Sequence, residues 1–272
     1  MIRGEKLLVS RHSGFQSILL TEDESGLRTL RFGADGVSQS VVKAADPRHL
    51  ELAYARVLPA CLAFVQKTER VLIVGLGGGS LPRFFHSHFP EMDIDVVEID
   101  QGVVDVARTY CGFVEDARMR VHVEDGRDFI ESARTGYDLI ILDCFDADAI
   151  PRHLATLEFL TSVRNALGPR GVVVANIWGR SCNPLYAHML LTYRAAFEDV
   201  YIFDVPQPGS KLFVALPFKQ TLNRDEVLRA AGEIGSQRHF SFDLSKEIAG
   251  FRNAEGETVR SGAVLRDCLV QR

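Results

Sequence analysis

Residues 70–80 read Arg-Val-Leu-Ile-Val-Gly-Leu-Gly-Gly-Gly-Ser: four consecutive apolar residues, Val71 to Val74, then Gly75, Gly77, Gly78 and Gly79 within five positions. A short apolar run closed by glycines predicts a strand buried on both faces that turns sharply into a helix, because residues without a Cβ let the backbone reverse and approach a ligand. The pattern then repeats. DIDVVEID (93–100), MRVHVEDG (119–126), YDLIILDC (137–144) and GVVVANIW (171–178) are further apolar runs. Helical spacing separates most of them, through Phe85, over Val103 to Tyr110, around Phe129 and over Thr156 to Ala166. Five such runs predict a mainly parallel sheet covered on both faces, and right-handed crossovers make it a doubly wound, Rossmann-like α/β fold.

Working outward, residues 6–44 alternate apolar and polar side chains in four short runs separated by turn-like ESG and ADG, which predicts a small N-terminal antiparallel β domain over residues 1–45. Asp46-Pro47 punctuates the chain, and a helix is expected over 49–66 as the connection to a main domain over 46–272. A helix over Tyr186 to Phe197 and the strands DVYIFDV (199–205) and KLFVALPF (211–218) complete an antiparallel edge; residues 221–272 read as helix, loop and helix, a C-terminal helical extension.

Composition narrows the function. The 272 residues are 46% hydrophobic and 25% charged, which is a globular balance, and 31 Lys and Arg against 36 Asp and Glu leave a net charge of −5. That sign offers nothing to nucleic acid or an anionic membrane and suits a small cationic substrate. No apolar run approaches the roughly 18 to 20 residues of a membrane span, and the opening MIRGEKLLVSRHSG has no apolar signal region, so the expected location is the cytoplasm. The five cysteines are far apart with no CxxC spacing, which suggests reduced, mostly packed thiols.

In an open α/β sheet ligands bind beyond the carboxyl ends of the strands. Here those ends carry the glycine turn, then Glu98-Ile99-Asp100, Glu124-Asp125-Gly126 and Asp143-Cys144-Phe145-Asp146. A carboxylate about 20 residues beyond a glycine turn is placed to accept both hydroxyl hydrogens of a ribose, and an acidic third tip suits an adenine amino group. Glycine-rich or acidic tips on successive strands point to a nucleoside.

With these residues in order, the chain resembles the polyamine aminopropyltransferases, the spermidine synthase family, whose catalytic domain has the class I methyltransferase-like fold. VLIVGLGGGS, VVEID, VEDGRDF and LDCFD carry the likeness, and Asp35-Gly36-Val37-Ser38-Gln39 resembles that family's D-G-x-x-Q signature in its small β domain. The resemblance implies a decarboxylated S-adenosylmethionine donor, bound as co-substrate and not as a tightly held cofactor, by Gln39, Gly75, Gly77, Gly78, Gly79, Glu98, Ile99, Asp125 and Gly126. Glu98 would hold the ribose hydroxyls and Asp125 the adenine amino group. Asp143 would be the catalytic carboxylate that takes the proton from, or orients, the attacking amine. Asp146, Asp148, Glu51 and Gln207 would lie on the side of the cationic acceptor. A homodimer is also implied.

The chain departs from the family pattern at informative places. The family's glycine loop, G-G-G-D-G-G, has an aspartate that would contact the donor's ammonium, and Gly78 stands there, with Ser80 for the last glycine. Losing one charge-assisted bond of roughly 2 kcal/mol weakens a decarboxylated donor about 30-fold and removes a charge that would repel the carboxylate of intact S-adenosylmethionine. The family's Y-[HQ]-E is represented by His49-Leu50-Glu51-Leu52, the proline after the second aspartate by Ala147, and the tyrosine of P-x-Y-P by Gln207. Two alternatives therefore stand beside aminopropyl transfer: methyl or other sulfonium-group transfer from intact S-adenosylmethionine, and nucleoside binding without turnover. No metal site is expected: His86 and His88, at i, i+2 on a helix, face different ways. Cys144 has no His placed to activate it, Trp178 could wall the pocket, and His153 falls in a lid-like loop without a readable role.

Overall fold

The computed structural model describes residues 4–33, 38–132, 136–144, 151–206, 209–259 and 261–269. Four strands, β1 (Lys6–His12), β2 (Ser17–Glu22), β3 (Leu27–Phe32) and β4 (Ser38–Lys43), form an antiparallel meander in chain order. The chain then enters α1 (Ala53–Val57), which tightens into a 3-10 helix over Leu58–Phe64. The expected single helix over 49–66 is thus shorter and split. Pro59 has no N–H to donate back to Ala55, so regular α-helical bonding fails there.

The main sheet comprises β5 (Arg70–Val74), β6 (Asp93–Glu98), β7 (Met119–Val123), β8 (Tyr137–Leu142), β9 (Leu167–Trp178), β10 (Asp199–Asp204), β11 (Ser210–Leu216) and β12 (Gly250–Asn253). Its order is β12-β10-β11-β9-β8-β5-β6-β7; β5 to β9 pair in parallel, and the β9–β11, β11–β10 and β10–β12 pairs are antiparallel. The helices α2 (Ser80–His88), α3 (Gln101–Tyr110), α4 (Gly126–Ser132), α5 (Leu157–Ala166) and α6 (Tyr186–Ala196) connect the strands. This is the predicted class I methyltransferase-like sheet beside a small antiparallel one.

Successive side chains of a strand point to opposite faces, which is why β5 is apolar throughout. Val71 and Ile73 join the core under α2, while Leu72 and Val74 join the core under α5 and α6. A third core joins the two sheets. Ile18, Leu20, Leu30, Phe32 and Val42 of the meander pack on Val103 and Val106 of α3. Arg83 of α2 donates to the carbonyls of Lys43 and Ala44 at the end of β4, fixing the meander above the glycine turn.

The C-terminal part differs from the expected helix, loop and helix. After α7 (Arg224–Gln237) and the four-residue α8 (Leu244–Glu247), residues Gly250–Asn253 add β12 to the sheet, opposite Tyr201 to Asp204. Four residues are too few for alternation to register, and the pairing comes from the free edge of β10. Among the described residues no helix is long and apolar enough to cross a membrane.

Candidate active site

A cavity of about 250 Å³ opens where β5, β6 and β8 end, and the meander roofs it. The main sheet contributes Gly75, Leu76, Gly77 and Ser80, then Glu98 and Ile99, Asp125 and Gly126, Asp143 and Cys144. From the meander come Phe15 and Gln16, in the turn between β1 and β2, with Phe32, Gln39 and Ser40; Tyr54 of α1 and His153 and Leu154 close the sides. The glycine turn is required by packing. Gly75 has φ +103°, and a Cβ there would fall on the carbonyl oxygen of Asp143, so the first and fourth strand tips lie directly against each other.

Three carboxylates face this space, and each is held differently. Glu98 is 8% exposed; its Oε2 accepts the N–H of Leu76 at 3.1 Å and its Oε1 the N–H of Asp100 at 3.1 Å. Burial raises its pKa above the usual carboxylate range, and the backbone donors at Asp100 and Leu76 oppose that rise. Asp100 in turn caps α3 through Gly102 N–H at 2.7 Å and accepts from Ser13 Oγ at 2.5 Å, tying the turn that carries Phe15 and Gln16 to the tip of β6. Asp125 accepts Arg127 N–H at 2.8 Å, and its other oxygen lies 3.1 Å from His153 Nε2.

Asp143 accepts from Tyr54 OH at 3.0 Å on one oxygen and from Asn176 Nδ2 at 3.0 Å on the other; Asn176 Oδ1 accepts from Ser210 Oγ at 3.2 Å. Burial lifts the Asp143 carboxyl, and the Asn176 and Tyr54 donors hold it partly down. A carboxylate so placed, with its affinity for a proton raised, can serve as a proton acceptor. Burial, with the charge of Asp143 next, pushes the Cys144 thiol up to about 12, so it is no thiolate nucleophile.

Among the expected residues, Gln39, Gly75, Gly77, Glu98, Ile99, Asp125, Gly126 and Asp143 lie together around this one space. Gly78 and Gly79 are not among its described lining residues. Gly79 is the left-handed residue before α2, with φ +79°, and Gly78 backs onto β4: a Cβ there would lie 2.9 Å from Val42 Cγ1 and 3.1 Å from Ser40 Oγ. Glu51 is on the surface, paired with His49 at 2.8 Å. Asp146, Asp148 and Gln207, with Asp35 and Gly36 of the D-G-x-x-Q stretch, lie outside the described residues. His86 and His88 have separate partners, Asp116 and the carbonyl of Arg238. Among the described residues no group of three or more His, Cys, Asp or Glu side chains could hold a metal ion.

Sequence reasoning missed Tyr54, Asn176, Phe15 and Gln16. Asn176 carried a signal: it is the one amide inside the apolar run Val172 to Trp178, and a buried amide needs partners. Tyr54 was hidden among the apolar residues of a helical stripe.

A spermine/spermidine synthase domain matches residues 51–207. The polyamine aminopropyltransferase of Vibrio vulnificus is 34% identical over 240 residues, 84% of this chain and 80% of that protein. The human eEF1A lysine and N-terminal methyltransferase is 34% identical over 206 residues, 68% of this chain, which spans 29% of that protein's length. A probable spermidine synthase from Corynebacterium glutamicum superposes with a TM-score of 0.78 at 22% identity over 96% of both chains, a likeness of fold. Human methyltransferase-like protein 13, solved with SAH, gives 0.64 at 30% identity over 70% of this chain and 93% of that one. The chain belongs to the spermine/spermidine synthase family.

Proposed function

We propose that this protein is a transferase that moves an aminopropyl group from decarboxylated S-adenosylmethionine to a small amine and releases methylthioadenosine. One observation carries the reading: Glu98, Asp125 and Asp143, from three different strand tips, converge on a single cavity beside the glycine turn. Glu98 accepts the ribose hydroxyls on the lone pairs that Leu76 and Asp100 leave free, Asp125 accepts the amino group of the base, and Gln39 closes the pocket from above.

The chemistry asks little of the protein beyond alignment, because a sulfonium carries its own leaving group. The acceptor arrives as an ammonium and has no lone pair. The carboxylate of Asp143 accepts its proton; the freed nitrogen attacks the propyl carbon bound to sulfur, the C–N bond forms, the C–S bond breaks, and its electron pair stays on the neutral thioether. Tyr54 and Asn176 orient the Asp143 carboxylate. Asp146, Asp148, Glu51 and Gln207 are assigned to the acceptor side on the strength of the family pattern. The setting we propose is the cytoplasm and a homodimer, which light scattering on the purified protein tests.

The position of Gly78 favours a second reading, transfer of methyl or another group from intact S-adenosylmethionine. No carboxylate stands at that position to hold the donor ammonium or to repel a donor carboxylate, and methyltransferases are among the proteins this chain is similar to. Incubation with either donor and a panel of putrescine, spermidine and other diamines, read by mass spectrometry, separates the two. Methylthioadenosine from the decarboxylated donor supports the first; S-adenosylhomocysteine from the intact donor replaces it with the second; neither product with any amine leaves a binding protein.

A further inference from the structure

His153 lies at the cavity rim in a single 3-10 turn, Arg152–Leu154, and nothing in the proposed chemistry uses it. Its backbone is held firmly. Leu154 is 7% exposed and packs in the core under α5, Leu154 N–H donates to Pro151 at 2.9 Å, and the guanidinium of Arg127 donates to the His153 carbonyl at 3.3 Å. Arg127 is itself 5% exposed and anchored on Asp267 and Glu131. The imidazole Nε2 is thereby presented 3.1 Å from Asp125 Oδ2. An ionised carboxylate only accepts, so Nε2 carries the hydrogen and donates. That hydrogen lies on Asp125 here; a base that brings its own amino hydrogen to Asp125 releases it, and the rim then offers an acceptor and a donor side by side. A carboxamide side chain offers the same pattern when it reads adenine, whose amino group donates and whose adjacent ring nitrogen accepts.

We propose that His153 is a specificity-determining contact for the nucleobase: Asp125 accepts the exocyclic amino hydrogen, and the Nε2–H of His153 donates to the ring nitrogen beside it. The inference rests on the donor-pocket reading above and adds the second half of the base recognition. It also gives Arg127 a purpose, since one buried guanidinium fixes the turn that carries His153 while its backbone N–H fixes Asp125.

Calorimetric titration tests it with 5′-methylthioadenosine, its 1-deaza and 7-deaza analogues and 5′-methylthioinosine, on wild type, His153→Ala and His153→Gln. The wild-type protein should bind one deaza analogue about 3- to 10-fold more weakly than the parent, the loss of one hydrogen bond. His153→Ala should weaken the parent by a similar factor and no longer distinguish that analogue, while keeping the preference for the adenine over the hypoxanthine nucleoside. His153→Gln, which retains an N–H donor, should recover part of the loss. Which deaza analogue carries the penalty identifies the ring nitrogen. Deaza penalties that are absent in wild type, or that persist unchanged in His153→Ala, overturn the inference and leave the pocket assignment standing. Failure of wild type to bind the parent nucleoside overturns both.

Discussion

Two carboxylates, the buried Glu98 and the half-buried Asp143, stand at strand tips on either side of β5, and they are held in opposite ways. Glu98 is satisfied by backbone: the amides of Leu76 and Asp100 fill one lone pair on each oxygen. Asp143 is satisfied by side chains, Tyr54 from 89 residues upstream and Asn176 from 33 downstream. Burial raises both above the usual carboxylate range. A carboxylate held by amides is fixed by the fold of its own turn, which suits an invariant task such as gripping a ribose. A carboxylate held by side chains can be tuned by substitution, which suits a proton acceptor whose affinity must match its substrate. The sharpest way to break this contrast is Asp143→Asn. Losing a general base removes about 10²- to 10⁴-fold of rate, and turnover followed by methylthioadenosine release should fall by that range. Calorimetric affinity for the nucleoside should stay within about twofold; retained turnover would end the assignment.

The mirror experiment, Glu98→Gln, should show the reverse split. A carboxamide has one acceptor oxygen, so its NH₂ must face either Leu76 N–H or Asp100 N–H, and one of the proposed ribose contacts goes as well. Nucleoside affinity should drop about 10- to 100-fold, the range for one or two hydrogen bonds to a charged acceptor. Turnover at saturating donor should be less affected than in Asp143→Asn. If affinity is unchanged by titration, the ribose is held elsewhere.

The same contrast explains what the sequence disclosed. Glu98 was legible because its spacing from the glycine turn and its own strand fix its place, and the same local logic exposed Asp125, Gly75 and the alternation of β5 between two cores. Tyr54 and Asn176 were not legible as a pair. Their meeting at Asp143 depends on how α1 crosses above β8 and β9, which is a tertiary outcome. The split of the 49–66 helix at Pro59 and the addition of β12 failed for related reasons: one was a local breaker overlooked inside a good apolar stripe, the other a four-residue strand defined by the edge it joins. At Gly78 the sequence disclosed only a missing carboxylate; that Val42 and Ser40 of β4 stand against the position came from the fold.

A smaller effect sharpens the acceptor end alone. Burial first, and the charge of Asp143 second, raise the Tyr54 hydroxyl well above its usual range, so it remains a neutral donor wherever the enzyme works. Its hydrogen bond lowers the Asp143 carboxyl. Tyr54→Phe removes that support, so the Asp143 pKa rises further and the acid limb of the rate–pH profile moves to higher pH. Near neutrality kcat should fall about 3- to 10-fold, recovering toward the wild-type value as the pH is raised. A limb that stays in place, or moves down, would show that Tyr54 does not set the charge of Asp143.

The smallest expected effect is on stability, and its sign follows from the same burial. A carboxyl whose native pKa lies above its unfolded value binds its proton more tightly when folded. Its contribution to stability is therefore full below the unfolded pKa and is lost as the pH rises through the native one. Wild-type protein above that window carries a half-buried negative charge that, among the described residues, accepts from Tyr54 and Asn176. In Asp143→Asn the position is neutral at every pH, and the amide can still accept from Asn176 and donate to the Tyr54 oxygen. The variant should match wild type in urea midpoint at the acid end of the folded range and exceed it at pH 8, by a margin that widens with pH. A variant that is less stable at pH 8 would mean that the charge–donor contacts at Asp143 outweigh the burial of its charge.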